Sequence, residues 1–289
     1  MNAPTRAHAV LSASGSKKWL TCTPSARYES TFPDETSDYS AEGQYAHELG
    51  ELKLRHFLNE YTETEYQEKL ARLQTNRYWN AALAEYVGHY VDFCVSRIQY
   101  ARDLNPDAVI LVEKRLDFSP WVPEGFGTAD LIIIVNDLVE IIDLKFGKGL
   151  RVDATANPQL QLYALGAVHG FGHLFDIQLT RMTIVQPRLE HVSTYEMPAP
   201  TLLQWADDFV APRAQLAWHG EGSFVAGKHC TSGFCRARFQ CPTRAQETDA
   251  RSAASFGFTP ITHTDDEQSS ERTTAVPSEV PSAEAKPVA

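Results

Sequence analysis

No stretch of this chain stays apolar for long. Even the longest uninterrupted runs, such as Leu131 to Val135, fall far short of the ~20 residues that a membrane-spanning helix requires. No apolar segment of signal-peptide length precedes Lys17 and Lys18, which predicts a cytoplasmic protein with no membrane partner. Internal repeats are absent. Basic charge is scarce: 26 Lys and Arg stand against 37 Asp and Glu, for a net −11, and that balance argues against a phosphate-rich partner. The distribution of charge softens the objection. Residues 246–289 hold eight acidic and three basic residues, so −5 belongs to this end and −6 to the rest. That end is rich in Ser, Thr, Pro, Glu and Ala and poor in large apolar residues, which predicts a disordered tail over 245–289 and a single folded domain over 1–244.

Apolar residues make up 43% of the chain, enough for a substantial core. A short capped helix is expected over Ser12–Leu20, a loop over 23–40, a helix over Ala41–Asn59, and one long or two consecutive helices over Tyr66–Leu104, ended by Asn105-Pro106. Cys94 falls on the apolar face of the last of these, as a buried small hydrophobe. Three β-branched segments follow, at Val109–Phe118, Phe126–Val135 and Leu138–Phe146. A helix over Pro158–Val168, strands over Ile177–Gln186 and His191–Glu196, and a helix over Thr201–Trp218 complete the pattern. The order predicts an α/β domain: a central mixed sheet flanked by helices, plus an N-terminal helical region.

Charges interrupt two of the apolar strands, in GTADLIIIV and LVEIIDLKF. Asn136-Asp137 between them suits a tight hairpin. Stepping back from Val135 along one strand and forward from Leu138 along the other brings Asp130 opposite Asp143, with Cβ atoms ~5 Å apart. Lys145, two residues beyond Asp143, lies on the same side. Carboxylates this close repel unless they share a proton or a cation, and oxygen ligands favour a hard divalent ion, Mg²⁺ or Mn²⁺. A metal-activated water beside a lysine is what phosphodiester hydrolysis needs. The plainer alternative is an ion pair of Lys145 with either aspartate. Two helical pairs at four-residue spacing strengthen the first reading. His47 can complete a metal shell with Glu51 orienting it, and Gln159 and Tyr163 can position a phosphate or water.

His47-x3-Glu51, Gly127-x2-Asp130, Asp143-x-Lys145 and Gln159-x3-Tyr163, in this order and from about Ser12 to Cys241, resemble the RecB-like branch of the PD-(D/E)xK nuclease superfamily. That branch includes CRISPR adaptation nucleases and the nuclease domains of recombination complexes. The literal Pro-Asp is missing, since Ala129 precedes Asp130, but the branch commonly shows Gly-x-x-Asp. The resemblance implies a restriction-endonuclease-like core and a metal held by His47, Asp130, Asp143 and the Leu144 carbonyl. It further implies catalytic roles for Asp130, Asp143, Lys145, Gln159, Tyr163 and Glu51.

Five cysteines are too many for chance surface use and an odd number for pairing. Cys22 stands near the start, and Cys230, Cys235 and Cys241 share one loop, so together they bracket the domain. Four thiolates can hold a [4Fe–4S] cluster; zinc, with His229 as a possible substitute ligand, and free thiols are the alternatives. The iron–sulfur subset of RecB-like nucleases shows a similar arrangement of one upstream and three downstream cysteines, which implies a cluster closing the fold.

Gly147-Lys148-Gly149 lacks the spacing and the following Ser or Thr of a phosphate-binding P-loop. Lys148 and Arg151 are instead candidate DNA contacts, with Lys17, Lys18, Arg236 and Arg238 weaker ones. The expectation is a metal-dependent DNA nuclease, an exonuclease of phage or bacterial recombination, repair or end processing, with DNA as partner and a phage recombinase or single-strand-binding protein as a further one. The rivals are an inactive nucleic-acid-binding scaffold on the same fold and a zinc-stabilised interaction module.

Overall fold

The computed structural model describes residues 9–33 and 38–255, with side chains through 248. The chain divides into a large unit, Met1–Glu247, and a small one, Thr248–Ala289; the account below concerns the large one.

Five helices come first: α1 (Ser16–Trp19), α2 (Ser25–Glu29), α3 (Asp38–Phe57), α4 (Glu63–Gln74) and α5 (Ala81–Leu104). Local chemistry sets the later boundaries. Thr62 and Glu65 form a reciprocal capping box at the start of α4, and the Asn80 side chain accepts from Leu83 N–H at the start of α5, each satisfying a donor that the first turn cannot. The segment expected as one or two helices is therefore two. The 23–40 stretch, expected as loop, contains α2.

Strands β1 (Val109–Asp117), β2 (Phe126–Val135) and β3 (Leu138–Leu144) follow, then α6 (Pro158–Phe171), β4 (Leu179–Gln186), β5 (His191–Pro198), α7 (Ala199–Trp205), a π-helical turn (Ala206–Val210) and α8 (Ala211–His219). The sheet runs β1-β2-β3-β4-β5. It is antiparallel except at β3–β4, the one pair joined through a crossover helix, α6, as parallel neighbours must be. Val135 pairs with Leu138 and Leu131 with Ile142, the register counted through the Asn136-Asp137 turn. The chain is thus an α/β protein with a five-stranded mixed sheet between helices.

Each sheet face carries its own core. Leu160, Leu162 and Leu165 of α6 pack with Ile132, Ile134, Val139 and Ile141. On the opposite face Leu49 of α3 and Val87, Tyr90 and Cys94 of α5 pack with Leu131, Ile133 and Ile142. A sheet buried on both faces reads as continuous Val, Ile and Leu, which is why β2 lacks polar alternation. The short α9 (Lys228–Ser232) and a 3₁₀ turn (Arg236–Phe239) lead into α10 (Pro242–Ser255). Residues 245–255, expected as part of a disordered tail, are helical; the rest of that expected tail, from 256, lies outside the described residues. Among the described residues no helix is long and apolar enough to cross a membrane.

Candidate metal and active site

The hairpin register leaves Asp130 and Asp143 one step beyond the Leu131–Ile142 pair. On the other side of β2, Val112 pairs with Leu131 and Lys114 with Ala129. The ladder omits the position between them, Glu113, which takes a left-handed φ of 49°, an uncommon conformation for a side chain of its size. Glu113, Asp130 and Asp143 therefore stand level across three neighbouring strands. All three line one cleft of about 370 Å³ with His47, Lys145, Gln159 and Tyr163.

The side chains are already tied together. His47 Nδ1 lies 3.2 Å from Asp130 Oδ1, and Leu144 N–H donates to Asp130 Oδ2 at 2.6 Å. The Gln159 amide donates to Asp143 Oδ1 at 3.0 Å and to the Tyr163 hydroxyl at 3.1 Å. Lys145 Nζ donates to Gln159 Oε1 at 2.8 Å and sits 2.9 Å from Asp143 Oδ2. That last contact has ion-pair distance without hydrogen-bond alignment, so this buried oxygen keeps an unused acceptor direction. Asn157 caps α6 by accepting from Gln159 and Leu160 N–H, with Pro158 at its first turn, and this sets Gln159 and Tyr163 one turn apart over the acids. Gly127 makes room for them: a Cβ there would fall 2.6 Å from Tyr163 Cε1.

Burial and crowding shift the titrations. For Glu113, burial is the largest influence and Asp130 adds to it, pushing its carboxyl up to about 8. His47 is penalised by burial, but Asp130 beside it more than reverses this and carries the ring up to about 9. Asp130 is held low, the His47 and Leu144 contacts outweighing its burial, whereas Asp143 is raised, burial and Asp130 outweighing Lys145. Without a cation, near pH 7, the cleft thus keeps protons on groups that ordinarily lose them.

A divalent ion would replace those protons. Ligand atoms of His47, Glu113 and Asp130 all lie within 4.8 Å of one another, close to the spread of atoms around an ion bound at ~2.1 Å. The donors are carboxylate oxygens and one imidazole, and Asp143 Oδ2 is a buried acceptor lacking a hydrogen bond. The residues fit Mg²⁺ or Mn²⁺. The compact set contains Glu113 where Asp143 was expected, and Asp143 stands at its margin, paired to Lys145.

Glu51 does not orient His47. It accepts from Arg55 Nε at 2.8 Å, and Arg55 also donates to the Val112 carbonyl at 3.0 Å, so Glu51 reaches the site through the backbone beside Glu113. Leu144, expected through its carbonyl, enters through its N–H. Lys148 and Arg151 are exposed on the loop after β3 and do not line the cleft. Glu113 escaped the sequence reading because the connection between Asp117 and Phe126 is too long to fix a register by counting. Its only signal was an acid at the end of the apolar run in VILVEKRLD.

Cys22, Cys230, Cys235 and Cys241 line a second, smaller pocket together with His229; Cys94 stays buried in α5, away from it. None of the five cysteines forms a disulfide. Burial raises Cys22, and burial with Glu29 nearby pushes Cys235 up to about 11, so these groups are thiols unless a metal holds them as thiolates. They do not form a set within 4.8 Å like the acid site, whereas sulfurs around tetrahedral zinc, each at ~2.3 Å, would lie under that spacing. Glu29 braces the pocket, accepting from Lys18 Nζ and from Arg236 N–H, both at 2.7 Å.

The profile of the family described as "Protein of unknown function (DUF2800)" matches residues 8–280, and the chain belongs to that family. Among solved structures, the one titled "Crystal structure of SSO0001" is similar at 16% identity, covering 79% of this chain and 96% of that one with a TM-score of 0.27, a likeness too slight to carry an argument.

Proposed function

From this membership in a family without an assigned activity, we propose that the chain is a divalent-metal-dependent deoxyribonuclease built on a PD-(D/E)xK core of the RecB-like kind, acting on DNA ends in recombination or repair. The observation that carries the reading is the level row of Glu113, Asp130 and Asp143, with Lys145 and the Gln159–Tyr163 pair on the same cleft. Mg²⁺ or Mn²⁺, when bound, supplies Lewis acidity and a water of lowered pKa. His47, Glu113 and Asp130 would hold it, with Asp143 completing the shell. The Lys145 ammonium, poised between Asp143 and Gln159, offsets charge that gathers on the phosphoryl oxygens. Gln159, fixed by three polar partners, orients the phosphate or the attacking water, and Tyr163, whose hydroxyl burial keeps protonated, accepts from Gln159 and keeps a proton to donate. The four cysteines would hold a [4Fe–4S] cluster that ties Cys22 to the C-terminal loop.

The test is Mn²⁺-dependent degradation of labelled linear DNA, with circular DNA and 5′ and 3′ labels as arms. Degradation abolished in Lys145→Ala supports the proposal. Equal degradation in wild type and that variant, or none in either, contradicts it; binding of DNA without turnover would favour a scaffold on the same fold.

A further inference from the structure

The cysteine loop has a surface that the acid cleft does not explain. Phe234 and Phe239 are 76% and 79% exposed, higher than every other large apolar side chain described except Tyr39. Phe234 adopts a left-handed φ of 50°, a conformation bulky side chains avoid. The segment between Glu221 and Glu247 holds Lys228, Arg236, Arg238 and Arg244 and no acidic residue, in a chain whose net charge is −11. The Arg238 guanidinium lies 4.5 Å from the Phe239 ring centroid and that of Arg244 5.8 Å from it. Arg238 is steadied by donating to the Cys235 carbonyl at 3.1 Å. Glu29 pins the backbone at Arg236 and Cys235 N–H donates to the Cys230 carbonyl at 3.1 Å. The rings thus project from an anchored loop, with the half-buried Arg238 and Arg244 held beside Phe239.

Exposed rings next to cations match the chemistry of a single nucleic-acid strand. Every base has a face that stacks on a phenyl ring, every step carries a phosphate, and neither contact needs a particular sequence. Duplex DNA would offer only its phosphates, since its bases are stacked on one another. A protein partner explains the rings but gives no reason for a segment without acids.

We infer that Phe234 and Phe239, with Arg238 and Arg244, form a platform that binds single-stranded nucleic acid by base stacking and phosphate contact. The α1 segment links it to the acid cleft: Ser12 and Ser14 wall the cleft, and Lys18 and Cys22 wall the cysteine pocket beneath the platform. This deepens the nuclease reading by naming single strands as what reaches the cleft, and it rests on that reading for the consequence of binding but not for binding itself.

Fluorescence anisotropy of full-length protein with labelled oligothymidine, without added Mg²⁺ or Mn²⁺, tests it apart from turnover. Combined Phe234→Ala and Phe239→Ala should weaken binding at least about fivefold, with Phe239→Trp restoring it. Arg238→Gln should lower the slope of log affinity against log salt by about 0.7. Oligouridine should follow the same pattern, since stacking and phosphate contact do not read the sugar. Unchanged affinity in the double Phe variant with its circular dichroism intact would overturn the platform. So would an equal loss of blunt-duplex binding, or a loss that tracks dissociation of a dimer in sedimentation, which would make the occupant a second copy. Failure of Lys145→Ala to stop cleavage would instead overturn the nuclease reading and leave this result standing.

Discussion

The acid cleft and the cysteine pocket are built by opposite means. The cleft takes its carboxylates from adjacent strands, so the spacing of Glu113, Asp130 and Asp143 is set by the hydrogen-bond ladder and stiffened by cores on both faces. The pocket draws on α1–α2, α9 and the turns between Cys230 and Cys241, elements of a few residues that cannot nucleate alone. The first is an arrangement that the fold makes by itself, and on the proposed reading it is ready for an ion before any arrives. The second has less of the fold behind it, and on the proposed reading a bound metal would help to make it. Loss of metal should therefore switch off the first and loosen the second.

The largest effect sharpens that contrast. Asp143→Ala and Lys145→Ala should each lower Mn²⁺-dependent DNA cleavage by roughly a thousandfold while leaving the thermal midpoint close to that of wild type. Cys235→Ser should do the reverse. It should abolish the visible thiolate-to-iron absorbance and lower the midpoint by about 2–4 °C for each kcal/mol of metal-coupled stability lost. A colourless, zinc-containing wild-type protein would contradict the cluster, and a Cys235→Ser protein as stable as wild type would break the comparison.

Gly127→Ala should cost about 1–3 kcal/mol in denaturant unfolding, because the new methyl meets the buried Tyr163 ring at 2.6 Å and a well-packed aromatic has little room to yield. Cleavage should fall further than stability accounts for, since the Gln159–Tyr163 pair moves with the ring.

Proton linkage gives a subtler test. Glu113 and His47 keep protons in the folded state that the unfolded chain has released, so their stabilisation is complete below the unfolded values and is lost as pH rises through the folded ones. Glu113 runs from 4.5 to about 8 and His47 from 6.5 to about 9, so between about 6.5 and 8 the two act together. Metal-free protein should lose stability with rising pH across that window. Mn²⁺ should bind more tightly over the same range, with protons released on binding. Asp130, held low, contributes stability lost only in acid. Glu113→Gln should flatten the neutral slope; an unchanged slope would remove Glu113 from the linked set.

Smallest of all, Glu51→Gln should change stability by no more than about 0.5 kcal/mol, because Glu51 meets Arg55 at a partly exposed position, and cleavage should stay within a few-fold of wild type. A loss comparable to that of Lys145→Ala would restore to Glu51 a direct role on His47.

What could be read in advance follows the same division. A two-residue turn fixes register, so Asp130, Asp143 and Lys145 were placed by counting, and Gln159 and Tyr163 by helical spacing. Glu113 was invisible because a long connection, unlike a tight turn, carries no register. Spacing placed Glu51 one turn from His47 but could not say that Arg55, one turn further on, would claim it. The strands and long helices were legible because a two-faced core leaves a strong apolar pattern. The short α2 and the helical 245–255 stretch were not, since Ser, Thr and Ala read alike in loop and helix.

The central claim is that a row of carboxylates on three strands is a divalent-metal site. Calorimetric titration of metal-stripped protein with Mn²⁺ near pH 7 tests it most directly. The account predicts a saturable site of defined stoichiometry, accompanied by proton release and lost in Asp130→Asn. An equal titration in Asp130→Asn, or no binding in wild type, would contradict it.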